Sequence, residues 1–156
     1  MRVRQRVSFV LFSAHVSAAE ITARLGLEPD RVGVRGSRRP TPPVPRCHSW
    51  RITCDDRGLA VDDQLARVVA RLASHKDRIG VLARELRASD PERSGAVLAV
   101  ARYFDTGEGE EEELSPPDEP LQKLPGQHQL LGWVLDRDVL EFLLAVDAVL
   151  DVDEYG

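Results

Sequence analysis

Apolar and polar residues alternate over residues 3–13. Val7, Phe9 and Leu11 point one way, and Arg4, Arg6 and Ser8 the other, which is the period of a β-strand. Val10 and Phe12 add apolar groups to the second face and predict a strand in the middle of its sheet. Ser17 and Glu20 follow with the spacing of a capping box, so a helix opens at Ser17. Ile21, Leu25 and the flanking alanines form its apolar stripe. Gly26 suits the left-handed position that ends a helix, and Pro29 blocks its resumption.

Residues 30–48 carry no such period and read as a loop. Trp50, Ile52 and Cys54 share one face of the next strand, and Asp55 to Gly58 turns the chain. Leu65, Val68, Val69, Leu72, Ile79, Leu82 and Leu86 recur at helical steps over about Asp62 to Leu86. Gly80 and the polar stretch Ser74–Arg78 predict a bend or a split in that helix. Gly95 to Phe104 is a strand apolar on both faces, hence covered or central. Residues 105–127 read as a Pro-rich acidic loop, and His128 to Leu135 as another strand. Asp136 or Asp138 caps a helix holding Val139, Leu140, Leu143, Leu144 and Val146, and Val149 to Tyr155 is the last strand.

The order β-α-β-α-β-β-α-β predicts a single α/β domain of α+β type spanning 1–156. The expected sheet is mixed or antiparallel with about five strands, accompanied by about three helices. A ferredoxin-like split βαβ arrangement is one compatible topology.

Two stretches carry a resemblance. One is Ile21-Thr-Ala-Arg-Leu-Gly-Leu-Glu-Pro29, with the basic Gly-containing loop and Ser49-Trp50 behind it. The other is Gly132-Trp-Val-Leu, the helix after it, and the closing Leu150-Asp-Val-Asp-Glu-Tyr155. Together these resemble a bacterial domain-of-unknown-function family, the one numbered 4279, over nearly the whole chain. The resemblance implies an uncharacterised α/β protein and transfers no catalytic residues. The acidic run at 108–113 lies outside the shared pattern and reads as an insertion. Some small bacterial proteins of this size and class act as immunity proteins beside toxins, an analogy at the level of class.

Composition narrows the picture further. In 156 residues, 42% are hydrophobic, enough for one sizeable core and too many for wholesale disorder. No apolar run approaches the roughly 18–20 residues of a membrane span, and no signal peptide is read at the N-terminus. Two cysteines make no disulfide framework, so a reducing cytoplasm is expected. The formal charge of −5 hides a split. Residues 1–104 carry 19 basic and 11 acidic side chains, whereas residues 105–156 carry 2 and 15. Eight of those acids fall in 105–119.

Candidate chemistry is sparse. Cys47, His48 and Cys54 are too few and too far apart for a structural zinc site. His15, Ser13 and Ser17 lack a nucleophile elbow, and Ser17 is better used as a cap. Asp136 and Asp138 read as caps, and Asp151 and Asp153 as the solvated face of an edge strand. No Walker loop and no dinucleotide fingerprint occurs. The positive feature is the loop with Arg31, Arg35, Arg38, Arg39 and Arg46, next to Trp50 and Arg51. Arginine forks recognise phosphates and carboxylates, and an adjacent aromatic can stack on a base.

These observations predict a non-enzymatic binding module with another protein as partner, in concrete form an immunity-type inhibitor. The expected binding residues are Arg35, Arg38, Arg39, Arg46 and Trp50 in the basic loop. Glu110, Glu111, Glu112 and Glu113 in the acidic one steer association. The alternative is nucleic-acid or phosphate-ligand binding through the Arg-rich loop 31–51, and a small enzyme without a recognisable motif ranks third. No cofactor, no metal and no membrane is expected.

Overall fold

The computed structural model describes residues 2–105 and 132–156. Strand β1 (Arg2–Ser13) leads through helix α1 (Ala18–Leu25) to the short strand β2 (Arg31–Gly33) and to β3 (His48–Cys54). Helix α2 (Val61–Leu72) continues through a single 3₁₀ turn at Ala73–His75 into α3 (Lys76–Ser89). Strand β4 (Gly95–Asp105), helix α4 (Arg137–Ala145) and strand β5 (Ala148–Tyr155) complete the chain. The five strands form one sheet in the order β2-β3-β1-β4-β5. All neighbours are antiparallel except β4 and β5. The β4–α4–β5 unit therefore joins adjacent parallel strands, with no strand between them.

Register explains where the core lies. Val7 pairs with Cys54 and Val100, Phe9 with Ile52 and Leu98, and Leu11 with Trp50 and Ala96. Cross-strand partners share a face, so these nine residues form one apolar surface. They make a single buried cluster with Ile21 and Leu25 of α1, Leu65, Val68 and Leu72 of α2, Ile79, Leu82 and Leu86 of α3, and Phe142 and Leu143 of α4. All four helices among the described residues thus cover one side of the sheet. Phe142 meets Phe9 edge-on, with ring centroids 5.7 Å apart, a geometry that contributes about 0.5–1.5 kcal/mol beyond burial.

The predicted ends hold. Ser17 Oγ accepts the N–H of Glu20, and Gly26 takes the left-handed conformation at the end of α1 (φ 67°). Of the two candidate caps, Asp136 is the one used, accepting the N–H of Val139 at 2.9 Å. The long helix splits at residues 73–75, while Gly80 lies inside α3.

Two expectations need correction. The loop 30–48 contains strand β2, and its remainder is a backbone-bonded hairpin. Gly36 N–H donates to Pro45 O, Arg38 N–H to Val44 O, and Val44 N–H to Arg39 O. The strand expected at 128–135 is not found in its described part, residues 132–135, which run in irregular conformation. Both edges of β4 are already paired, with β1 and β5. Trp133 and Leu135 instead pack half-buried against the core.

Candidate functional site

With the helices on one side, the other side of the sheet is left without a helical layer among the described residues. Strand β1 presents Arg4, Arg6, Ser8, Val10 and Phe12 there, alternating with its core residues. Strand β3 adds Ser49, Arg51 and Thr53, and β2 adds Arg31, which pairs directly with Arg51. Strand β4 supplies Val97, Ala99, Ala101 and Tyr103, and β5 supplies Val149, Asp151, Asp153 and Tyr155. The face is therefore graded: basic over β2, β3 and the start of β1, apolar over β4, and acidic at the β5 edge.

Specific contacts fix this gradient. Arg4 lies over the ring of Tyr103, its guanidinium 5.5 Å from the centroid. Tyr103 stacks on Tyr155 with centroids 4.9 Å apart. The charge of Asp153, then burial and a hydrogen bond with Asp153, raises the pKa of the Tyr155 phenol. At the opposite side, burial and then the charges of Arg6 and Arg31 lower the proton affinity of Arg51. Arg31 holds Asp55 at 3.1 Å, and Arg51 Nε donates to Ser49 Oγ at 3.4 Å.

The hairpin that follows β2 rises beside Arg51 and encloses a groove of ≈ 550 Å³. Arg31, Arg38 and Arg51 line it together with Ser37 and Ser49, and among the described residues no acidic side chain does.

The sequence-predicted residues divide. Arg38, Arg39 and Arg46 are exposed on the hairpin, and of these Arg38 lines the groove. Arg35 is a strut instead. Its N–H donates to His48 Nδ1 at 3.2 Å, and its Nη1 to Ala14 O at 3.0 Å, tying the hairpin to the end of β1. Trp50 must be removed from the binding set. It is 0% exposed, in register with Leu11, and its Nε1–H donates to Thr22 Oγ1 at 3.1 Å. The alternation that puts Arg51 outside puts Trp50 inside. Glu110, Glu111, Glu112 and Glu113 lie outside the described residues. Arg6 was not among the expected residues, because only the fold brings β1 and β3 together.

The weighed catalytic and metal readings find ordinary roles. Ser13 is fully buried, and its Oγ accepts the N–H groups of His15 and Val16 in the turn before α1. The Cys47 thiol donates to Arg93 O at 3.3 Å, and burial, the largest influence, raises its pKa. Cys54 packs in the core. Among the described residues, no cluster of His, Cys, Asp or Glu could hold a metal ion. No helix among them is long and apolar enough to cross a membrane.

The family model described as a domain of unknown function, DUF4279, matches residues 2–156. The chain belongs to this family. The match takes in the sheet and the four helices of the described residues, so the DUF4279 domain and the single domain described above coincide. No curated protein and no solved structure gives a significant match to this DUF4279 chain.

Proposed function

We propose that this DUF4279 protein is a non-enzymatic binding module whose working surface is the face of its sheet opposite the four described helices, and that its partner is another protein. The observation that supports the reading is the order of chemistry across that face. Arginines at β2 and β3, an apolar strip at β4, and Asp151 and Asp153 at β5 make a surface that discriminates by orientation. Apolar area gives a partner something to bury, and opposite charges on either side fix register and speed encounter. Val149, at 58% exposed, and Tyr155, at 49%, are anchors that such a partner would cover. The partner would present acidic groups toward Arg31 and Arg51 and basic groups toward β5. An inhibitor of immunity type, which acts by covering its target, is the concrete form of this reading.

The test places a photocrosslinking residue at position 97 or 149 on the open face, or at position 63 on the helical side as control. The expected result is capture of one protein from the open-face positions alone, weakened by salt. Equal capture from position 63 overturns the surface assignment. Crosslinks only to a second copy of the chain, or only to nuclease-sensitive material, overturn the heterologous protein partner.

A further inference from the structure

The groove beside Arg51 points, by its own lining, to a small ligand at two of the arginines, Arg31 and Arg51, that the protein-partner reading also uses. Arg31 and Arg51 stand directly opposite each other in the β2–β3 pair. Residues so placed hold their Cβ atoms about 4.5–5.5 Å apart, and like charges there are destabilising. Arg6 reaches the same neighbourhood from β1, and its field, with that of Arg31, acts on Arg51. Arg38 approaches from the hairpin across the groove. Among the described residues, Arg31 has Asp55 as its carboxylate, whereas neither Arg38 nor Arg51 has one. Positive charge is thus gathered into one concave place, and among the described residues the Asp55 carboxylate offsets it at Arg31 alone.

We propose that this groove binds a phosphate dianion, either inorganic phosphate or the terminal group of a phosphomonoester. Arg31 and Arg51 are its principal donors, Arg38 closes over it, and the Ser37 and Ser49 hydroxyls complete the set. The planar guanidinium matches the spacing of phosphate oxygens and donates in pairs. A dianion between Arg31 and Arg51 converts their repulsion into two attractions. The volume, ≈ 550 Å³, is that of a small-molecule site. Gly33 shapes the floor, since a Cβ there would collide with Ser49 Oγ. A nucleic acid is disfavoured because no aromatic ring among the described residues lines the groove, and Trp50, the ring nearest in sequence, is in the core.

The test is calorimetric titration of the full chain, with inorganic phosphate, glycerol 2-phosphate and a short oligothymidylate as probes at matched ionic strength in sodium chloride. Saturable one-to-one binding of phosphate, of glycerol 2-phosphate, or of both supports the proposal and tells which source the site takes. Arg51→Lys keeps the charge but removes the fork, and Arg31→Gln removes one donor set. Each should weaken binding roughly tenfold or more, the loss of a charge-assisted pair. Arg46→Gln removes the same charge from the hairpin without touching the groove, and should change affinity by less than about twofold. Far-ultraviolet circular dichroism confirms that each variant folds. Loss in Arg46→Gln equal to that in Arg31→Gln, binding of the oligonucleotide alone, or no heat with either phosphate each overturns the proposal.

Discussion

Gln64 Oε1 accepts the backbone N–H of Val7 at 3.1 Å, and the same side chain donates to the carbonyls of Gln5 and Leu59. Strand β3 ends opposite Val7, at Cys54, while β1 continues to Arg2 beside β4 alone. One edge of β1 therefore loses its ladder partner under helix α2, where water is excluded: Gln64 is 0% exposed. The amide side chain substitutes for a missing strand. Gln64→Leu keeps the bulk and takes the partner from the Val7 N–H and the Gln5 carbonyl, while Leu59 O keeps the Gln5 side chain, at a cost of about 1–3 kcal/mol. Urea denaturation measures the loss, and amide exchange at Val7 should accelerate more than at Phe9. Equal stability of the variant would remove Gln64 from this role.

Gly80 makes a second prediction that runs against local propensity. It lies inside α3, where alanine is ordinarily favoured over glycine by about 1 kcal/mol. A Cβ at Gly80, however, would collide with the carbonyl oxygen of Ala145 at the end of α4. Gly80→Ala should destabilise by about 1–3 kcal/mol, because helix backbone must move to accommodate it. A more stable variant in thermal or urea unfolding would refute the close approach of α3 and α4.

Much of this architecture was legible because local rules and tertiary needs agreed. Ser17, Gly26 and Asp136 mark helix ends by chemistry that acts within four residues. Val7, Phe9 and Leu11, and likewise Trp50, Ile52 and Cys54, announce one buried face by alternation alone. Strand β2 was not legible: Arg31-Val32-Gly33 is too short to show a period, and its strand character comes from pairing with β3. Residues 132–135 misled because their apolar side chains do pack on the core, but from an irregular segment. The basic surface was half legible. Its arginines were visible, but Trp50 pointed inward, Arg35 was spent on Ala14, and Arg6 arrived from a distant strand.

Asp30 gives a pH dependence with a defined sign. Arg71 donates to both of its oxygens, at 2.7 and 2.8 Å, and Thr53 N–H donates to Oδ2 at 2.7 Å. The Arg71 hydrogen bond, opposed by burial, holds the carboxyl below its ordinary 3.8. A carboxylate depressed on folding contributes stability above its unfolded pKa and loses it as pH falls through the folded one. The advantage of the native chain over Asp30→Asn should therefore be constant near neutrality, shrink below about pH 4, and disappear at lower pH. It should be small, under about 1 kcal/mol, because the Arg71 and Asp30 side chains are 45% and 34% exposed. A gap that persists unchanged at pH 2 would mean that the charge of Asp30 contributes nothing.

Arg51 should be a residue the fold would be better off without. It stands opposite Arg31 and within the field of Arg6. Like charges opposite one another in a sheet cost roughly 0.2–1 kcal/mol, and threonine is well suited to a strand. Arg51→Thr should accordingly raise the thermal midpoint by about 1–3 °C at low salt, given the roughly 2–4 °C per kcal/mol of a domain this size. Added sodium chloride should narrow the difference, because screening weakens the repulsion in the native chain and not in the variant. Added phosphate should narrow it too, and at far lower concentration, if the arginines are held together for an anion. That contrast between the two salts separates general repulsion from a site. A variant that melts lower at every salt concentration would instead make Arg51 part of the sheet's own stability, and would remove the strain from which the anion groove was inferred.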